Sequence, residues 1–140
     1  MDINILAIVQ ARMNSTRFPG KVLKEINGIS IIEILLHRLS QSKRIDKIIL
    51  ATSKNKENDI LSKKVKELDF DVFRGSEEDV LSRYYQAASQ YNPDALVRIT
   101  GDCPIIDPVL VDEIIGVYQE QTMDYVSNTI PPTFPDGLDV

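Results

Sequence analysis

Apolar positions along this chain change period in a regular rhythm. "INILAIV" (3–9), "KIILATS" (47–53), "DVFR" (71–74) and "ALVRIT" (95–100) are short, largely apolar runs rich in Ile and Val. Such runs predict strands buried on both faces of a sheet. Between them the apolar period lengthens to that of a helix. "SIIEILLHRLSQ" (30–41) opens with Ser30 and, three residues on, Glu33, the spacing of a capping box. A second helix is predicted over about 58–68, where Leu61, Val65 and Leu68 fall on one stripe. A third starts at Ser76, with Asp79 three residues later, and repeats Val80, Tyr84, Ala87 and Tyr91. A fourth follows Asp107, with Pro108 at the first helical position, where its missing N–H costs little. "YVSN" (125–128) predicts one more short strand.

This β-α-β-α-β-α-β-α order predicts an α/β fold: a mostly parallel sheet, right-handed crossovers and helices on both faces. Neither an internal repeat nor a low-complexity segment interrupts it. The last stretch, "NTIPPTFPDGLDV", holds three of the seven prolines and predicts a loop with no closing element, as though the domain continued. In an open parallel sheet, ligands bind beyond the carboxyl ends of the strands, where strand order reverses. Two segments would meet there if the first and fourth strands are neighbours. One is the loop in "VQARMNSTRFPGKVLKE" (9–25); the other is "TGDCPIIDP" (100–108).

Charge sharpens that picture. The chain carries a formal net charge of -5, yet Arg12, Arg17, Lys21 and Lys24 crowd the first loop, with no Asp or Glu between Asp2 and Glu25. An acidic protein is a poor nucleic-acid binder, which usually presents a wholly basic face. The apolar runs are too short to span a membrane, and no secretory signal is visible. A single cysteine makes no internal disulfide and fits a reducing cytoplasm. One cysteine and one histidine are also too few soft ligands for a zinc site. The loop's charge is therefore directed at something small and anionic, or at solvent alone.

Three cations, the hydroxyls of "NST" and a Pro19-Gly20 turn make a cradle for a polyphosphate. Arginine offers forked donors and lysine a mobile point charge, while a turn frees backbone N–H groups. Charge count alone fits a solvated basic loop equally well; the position just past a buried strand favours the cradle. It is not a Walker loop, because Ser15 and Val22 stand where that motif needs glycine and a hydroxyl. No G-x-G-x-x-G occurs either, so a dinucleotide site has no support. Asp102, just beyond the fourth strand, reads alone as a turn residue. Opposite a basic loop it reads as a carboxylate holding Mg2+ against phosphate oxygens. "DFD" (69–71) mimics the D-x-D of sugar transferases but falls at the entrance of a strand, which favours a surface role. Cys103 reads as a small buried thiol, His37 as a helix-edge residue, and Tyr84 and Tyr85 as helix packing.

"IVQARMNSTRFPGKVL" resembles the N-terminal signature of the sugar cytidylyltransferases, the enzymes that activate acidic sugars such as sialic acid and KDO as CMP-sugars. "ATS" (51–53), "RGSEEDVLSRYYQAA" (74–88), "VRITGDCPIIDP" (97–108) and "DYVSNT…PTFPDGLDV" (124–140) are similar, in the same order, to the spore-coat polysaccharide branch of that family. The resemblance implies a three-layer α/β/α sandwich of the nucleotide-diphospho-sugar transferase (GT-A-like) type. Residues 1–140 would be its nucleotide-binding part. It further implies that Ala11, Arg12, Ser15, Arg17 and Lys21 hold the CTP triphosphate and that Ala51 and Thr52 sit near the cytosine. Arg83 would reach the nucleotide and Asp102 would bind Mg2+. The implied reaction is attack of a sugar hydroxyl on the α-phosphorus of CTP, with Arg12, Lys21 and Asp102 as the catalytic set. Family members run well past this span. Their C-terminal part completes the sugar pocket, the contact of a homodimer and a second metal-binding carboxylate, none of which these residues supply. Two other readings stay open: a nucleotide-binding module without turnover, and a glycosyltransferase that uses a nucleotide-sugar donor.

Overall fold

The structure is a computed structural model that describes residues 3–121 and 123–140. In chain order its strands and α-helices are β1 (Ile5–Gln10), β2 (Glu25–Ile26), β3 (Ile29–Ser30), α1 (Ile31–Leu39), β4 (Lys47–Ser53), α2 (Asp59–Glu67), β5 (Asp71–Gly75), α3 (Val80–Tyr91), β6 (Ala95–Thr100) and α4 (Pro108–Glu120). Four strands form one sheet in the order β5-β4-β1-β6, and every neighbouring pair is parallel. Strand order therefore reverses between β1 and β6, which places the first and fourth long strands side by side. The short β2 and β3 form a separate hairpin whose turn is Asn27 and Gly28, both at positive φ.

Strand alternation divides the core. Ile5, Ala7 and Val9 of β1 face one side, with Ile32, Leu35, Leu36 and Leu39 of α1, Leu61 and Val65 of α2, and Val111 and Ile115 of α4. Leu6 and Ile8 face the other side with Ile49 and Ala51, covered by Tyr84, Ala87 and Tyr91 of α3. Both faces of β1 are shut off from water, which is why its sequence reads as a continuous apolar run. Helices lie on both sides of the sheet, as the element order predicts.

Capping chemistry sets the helix boundaries. The Ser30 hydroxyl accepts from the Glu33 N–H at 3.4 Å, so α1 starts one residue later than its serine. In α3 the expected start at Ser76 moves to Val80. The Ser76 hydroxyl accepts from the Asp79 N–H at 3.1 Å, closing a turn ahead of the helix. Asp79 then caps α3 itself, accepting from the Ser82 N–H at 2.8 Å. Asp107 caps α4 in the same way from the Val109 N–H at 2.8 Å, with Pro108 at the first position.

The predicted strand at 125–128 does not form; an isolated bridge, Thr129 to Pro132, lies just beyond the segment. The cause is Asn128, which is buried and spends its side chain on its own loop. Its amide donates to the Leu138 carbonyl at 2.8 Å and its carbonyl accepts from the Val140 N–H at 3.0 Å. A segment folded back on side chains in this way has no free ladder to offer a sheet.

Beyond β6 the sheet stops. The Ala95 N–H bonds the Asn4 carbonyl at 3.3 Å and the Gly101 N–H bonds the Gln10 carbonyl at 2.7 Å, both toward β1. Strand alternation then aims the main-chain groups of Leu96 and Arg98 outward. A groove of about 990 Å³ runs along this edge, walled by Tyr84 and Tyr85 of α3 and by Ile114 and Tyr118 of α4.

Candidate nucleotide and metal site

At the carboxyl end of the sheet the chain leaves β1 and β6 side by side, with Gln10 opposite Thr100. Gly101 makes the approach possible. A Cβ there would lie 2.5 Å from the Ala11 Cβ and 2.7 Å from the Gln10 carbonyl oxygen. The glycine is required for space, and no side chain fits without displacing backbone.

The basic loop that follows β1 is held open by specific bonds. The Ala11 N–H reaches the Ala51 carbonyl at 3.3 Å, carrying β1 pairing one residue past the strand. The Met13 N–H donates to the side-chain oxygen of Asn58 at 2.8 Å. Asn58 is fully buried, and its amide donates in turn to the Ser53 hydroxyl at 2.7 Å. Gly20, at φ 70, turns the chain back so that its N–H meets the Met13 carbonyl at 2.8 Å. The single helical turn Lys21–Leu23 follows and aims Lys21 at the neighbouring segment.

There Lys21 meets Asp102. Nζ of Lys21 donates to Oδ2 of Asp102 at 2.8 Å, with side chains 26% and 43% exposed. The hydrogen bond from Lys21 holds the Asp102 carboxyl below its ordinary range against the opposing effect of partial burial. Residues 81 positions apart in sequence thus share one site. On the other flank, Arg12 donates to Glu77 at 3.0 Å. Arg17 is exposed at the loop's outer bend, and Ser15 is half-buried with its hydroxyl accepting from the Phe18 N–H at 3.4 Å.

Arg83 occupies a different place from the loop cations. It is 1% exposed. Its guanidinium donates to the Ser76 carbonyl and, at 3.5 Å, to the Glu77 carbonyl, fixing the turn that presents Glu77 to Arg12. Burial pulls its pKa down. Ala51 and Thr52 are likewise closed off in the interior, near the carboxyl end of β4. Sequence patterns did not single out Asn58 or Glu77. A lone Asn before a helix and one Glu in "SEED" have no local signature for contacts 45 and 65 residues away.

The remaining candidates take structural positions. Asp71 of the "DFD" pairs with Lys47 at 2.7 Å at the start of β5, the opposite end of the sheet from Asp102. Cys103 is buried, its sulfur 3.1 Å from the Thr100 hydroxyl, and burial pushes its thiol pKa up. Among the described residues no three His, Cys, Asp or Glu side chains converge on one point. That leaves no all-protein cage for a metal, and a carboxylate placed as Asp102 is fits the way Mg2+ is commonly held, by one or two carboxylates together with phosphate oxygens. Among the described residues no helix is long and apolar enough to cross a membrane.

The parallel α/β sheet thus brings a cationic loop and a carboxylate together at its topological switch point, the place where open sheets of this kind bind ligands. The chain belongs to the cytidylyltransferase family, whose model matches residues 6–136. It is 43% identical over 126 residues to the spore coat polysaccharide biosynthesis protein SpsF of Bacillus subtilis strain 168, covering 87% of this chain and 52% of that protein. A cytidylyltransferase structure from Leptospira borgpetersenii superposes with a TM-score of 0.88 at 33% identity, covering 99% of this chain and 58% of the other. CMP:2-keto-3-deoxy-manno-octonic acid synthetase complexed with CTP shares the fold with a TM-score of 0.75 at 22% identity, over 84% of this chain and 48% of that one. The chain thus spans about half the length of the curated relatives it matches.

Proposed function

We propose that this chain carries the CTP and Mg2+ site of a sugar cytidylyltransferase, which joins CMP to a sugar hydroxyl and releases pyrophosphate. The observation that carries the reading is the 2.8 Å meeting of Lys21 and Asp102 at the ends of β1 and β6. It brings a phosphate-binding cation and a metal-binding carboxylate within one ligand's length of each other. Membership of the cytidylyltransferase family supports cytidine as the nucleoside, and the likeness to the spore coat polysaccharide biosynthesis protein SpsF supports surface polysaccharide synthesis as the setting.

In this reading Arg12, Arg17 and Lys21 grip the triphosphate, with the backbone around Ala11 and the Ser15 hydroxyl as neutral donors. Ala51 and Thr52 form the floor near the cytosine, and Arg83 serves the nucleotide through the 76–77 turn it holds. Asp102 holds Mg2+, which when bound supplies positive charge beside the phosphates. Little covalent chemistry falls to the protein in phosphoryl-group transfer; alignment and charge neutralisation dominate. Lys21 and Arg12 neutralise the charge that develops on the departing pyrophosphate. The acceptor is an acidic or other sugar, and the likeness to 3-deoxy-manno-octulosonate cytidylyltransferases favours an acidic one.

Calorimetric titration tests this. CTP with Mg2+ should bind more tightly than ATP or GTP, and Lys21→Ala should weaken binding at least tenfold. Equal affinity for all nucleotides removes the cytidine assignment; an unaffected Lys21 variant removes the cradle. The half-length match to relatives favours one second reading, a nucleotide-binding unit without turnover of its own. Pyrophosphate release with a panel of 2-keto acid sugars separates the two.

A further inference from the structure

We infer that Lys21 and Asp102 neutralise each other until ligands part them, so that metal and triphosphate bind this crevice jointly rather than singly. The inference rests on the functional reading above and adds a coupling that the reading does not require. Lys21 lies in a loop stretch without a single acidic residue, and its ammonium donates across the crevice to Asp102 at 2.8 Å. Lys21 is the largest influence on the Asp102 carboxylate; the other oxygen lies 3.8 Å from the Cys103 sulfur, and the Thr100 hydroxyl and a backbone N–H contribute less. The two groups assigned to two different ligands are therefore each other's partner.

The thermodynamic consequence follows from counting what must be broken. A divalent cation arriving alone takes Asp102 from Lys21 and leaves the ammonium unpaired. A triphosphate arriving alone takes Lys21 and leaves the carboxylate facing phosphate. When both arrive, the ion pair is broken once and both halves are satisfied. The coupling is then at least the worth of the pair, reciprocal between the two ligands. For a part-exposed ion pair that is roughly twofold to fivefold in affinity. Arg12 and Glu77 make a second pair across the crevice at 3.0 Å. Glu77, however, receives no ligand of its own, so that pair carries no such reciprocity.

The experiment measures CTP binding in EDTA for the full chain and for Asp102→Asn, Lys21→Met and the double variant. Asp102→Asn should tighten metal-free CTP about twofold to fivefold when Lys21 is present, and by clearly less in the Lys21→Met background. An equal gain in both backgrounds means simple charge repulsion and overturns the inference. In the second arm, Mn2+ binding to the nucleotide-free chain is followed by electron paramagnetic resonance. Lys21→Met should raise Mn2+ affinity, Lys24→Met (a nearby cation outside the pair) should not, and Asp102→Asn should abolish binding. Equal effects of the two lysine variants would also overturn it. Failure of wild type to bind CTP at saturating Mg2+ is a different result, and it removes the functional reading itself.

Discussion

Gly101→Ala is the most direct probe of how the site is assembled. The added methyl would stand 2.5 Å from the Ala11 Cβ and 2.7 Å from the Gln10 oxygen, where carbon contacts settle at about 3.5–4.0 Å. The chain must therefore move apart by about 1 Å between β1 and β6, because both obstacles belong to a buried strand end and not to a flexible side chain. Overpacking of this kind costs about 1–3 kcal/mol. Loss of the 2.7 Å bond from the Gly101 N–H to the Gln10 carbonyl adds about 0.5–1.5 kcal/mol. Urea denaturation should show a loss of about 2–4 kcal/mol. Gly28→Ala is the control, since its Cβ would meet nothing within 4 Å but its φ of +81 is strained for alanine; it should cost about 1 kcal/mol. If Gly101→Ala costs no more than Gly28→Ala, the close approach does not govern the junction and the argument is refuted.

Three further outcomes are expected. Asn58→Ala strands the Met13 N–H and leaves the Ser53 hydroxyl only the Asn55 N–H, so it should destabilise by about 1–3 kcal/mol in denaturant titration and weaken CTP binding, while Asn55→Ala should not. Lys21→Met removes the bond that depresses Asp102; carboxyl NMR should show its pKa rise. A depressed carboxylate stabilises the fold above its unfolded pKa and loses that contribution as pH falls through the folded one. The stability gap between wild type and Lys21→Met should therefore be full at neutral pH and close in acid below about pH 4. Cys103, buried with a raised thiol pKa, should react with iodoacetamide at pH 8 far more slowly than the denatured chain does; equal rates would contradict its placement.

The parts legible in the sequence are those set by local pattern. Continuous apolar runs announced β1 and β4 because these strands are covered on both faces; β6, expected to be the same, buries Val97 and Ile99 and exposes Leu96 and Arg98. The side-by-side placement of Lys21 and Asp102 followed from one step of topology, since each lies just past a strand and those strands flank the reversal. What local pattern cannot report is how a polar side chain is spent. Asn58, Glu77 and Asn128 are ordinary residues by type, and each acquires its task from main-chain or charged partners supplied by the tertiary fold. The expected strand at 125–128 failed for that reason, its alternation being real but its bonds claimed by Asn128. Arg83 shows the same limit from the other side. Nothing in its local pattern reports that its position on the inner stripe of α3 turns it toward the Ser76 and Glu77 carbonyls.

The open flank of β6 bears on how this polypeptide is handled at the bench. An uncovered strand between tyrosine-bearing helices is a template for any extended chain, its own copies included. Concentrated stocks of residues 1–140 should accordingly form assemblies whose light scattering grows with protein loading and warming. Proline at Arg98 would silence one outward donor without touching the ladder to β1, and stocks of that variant should keep longer.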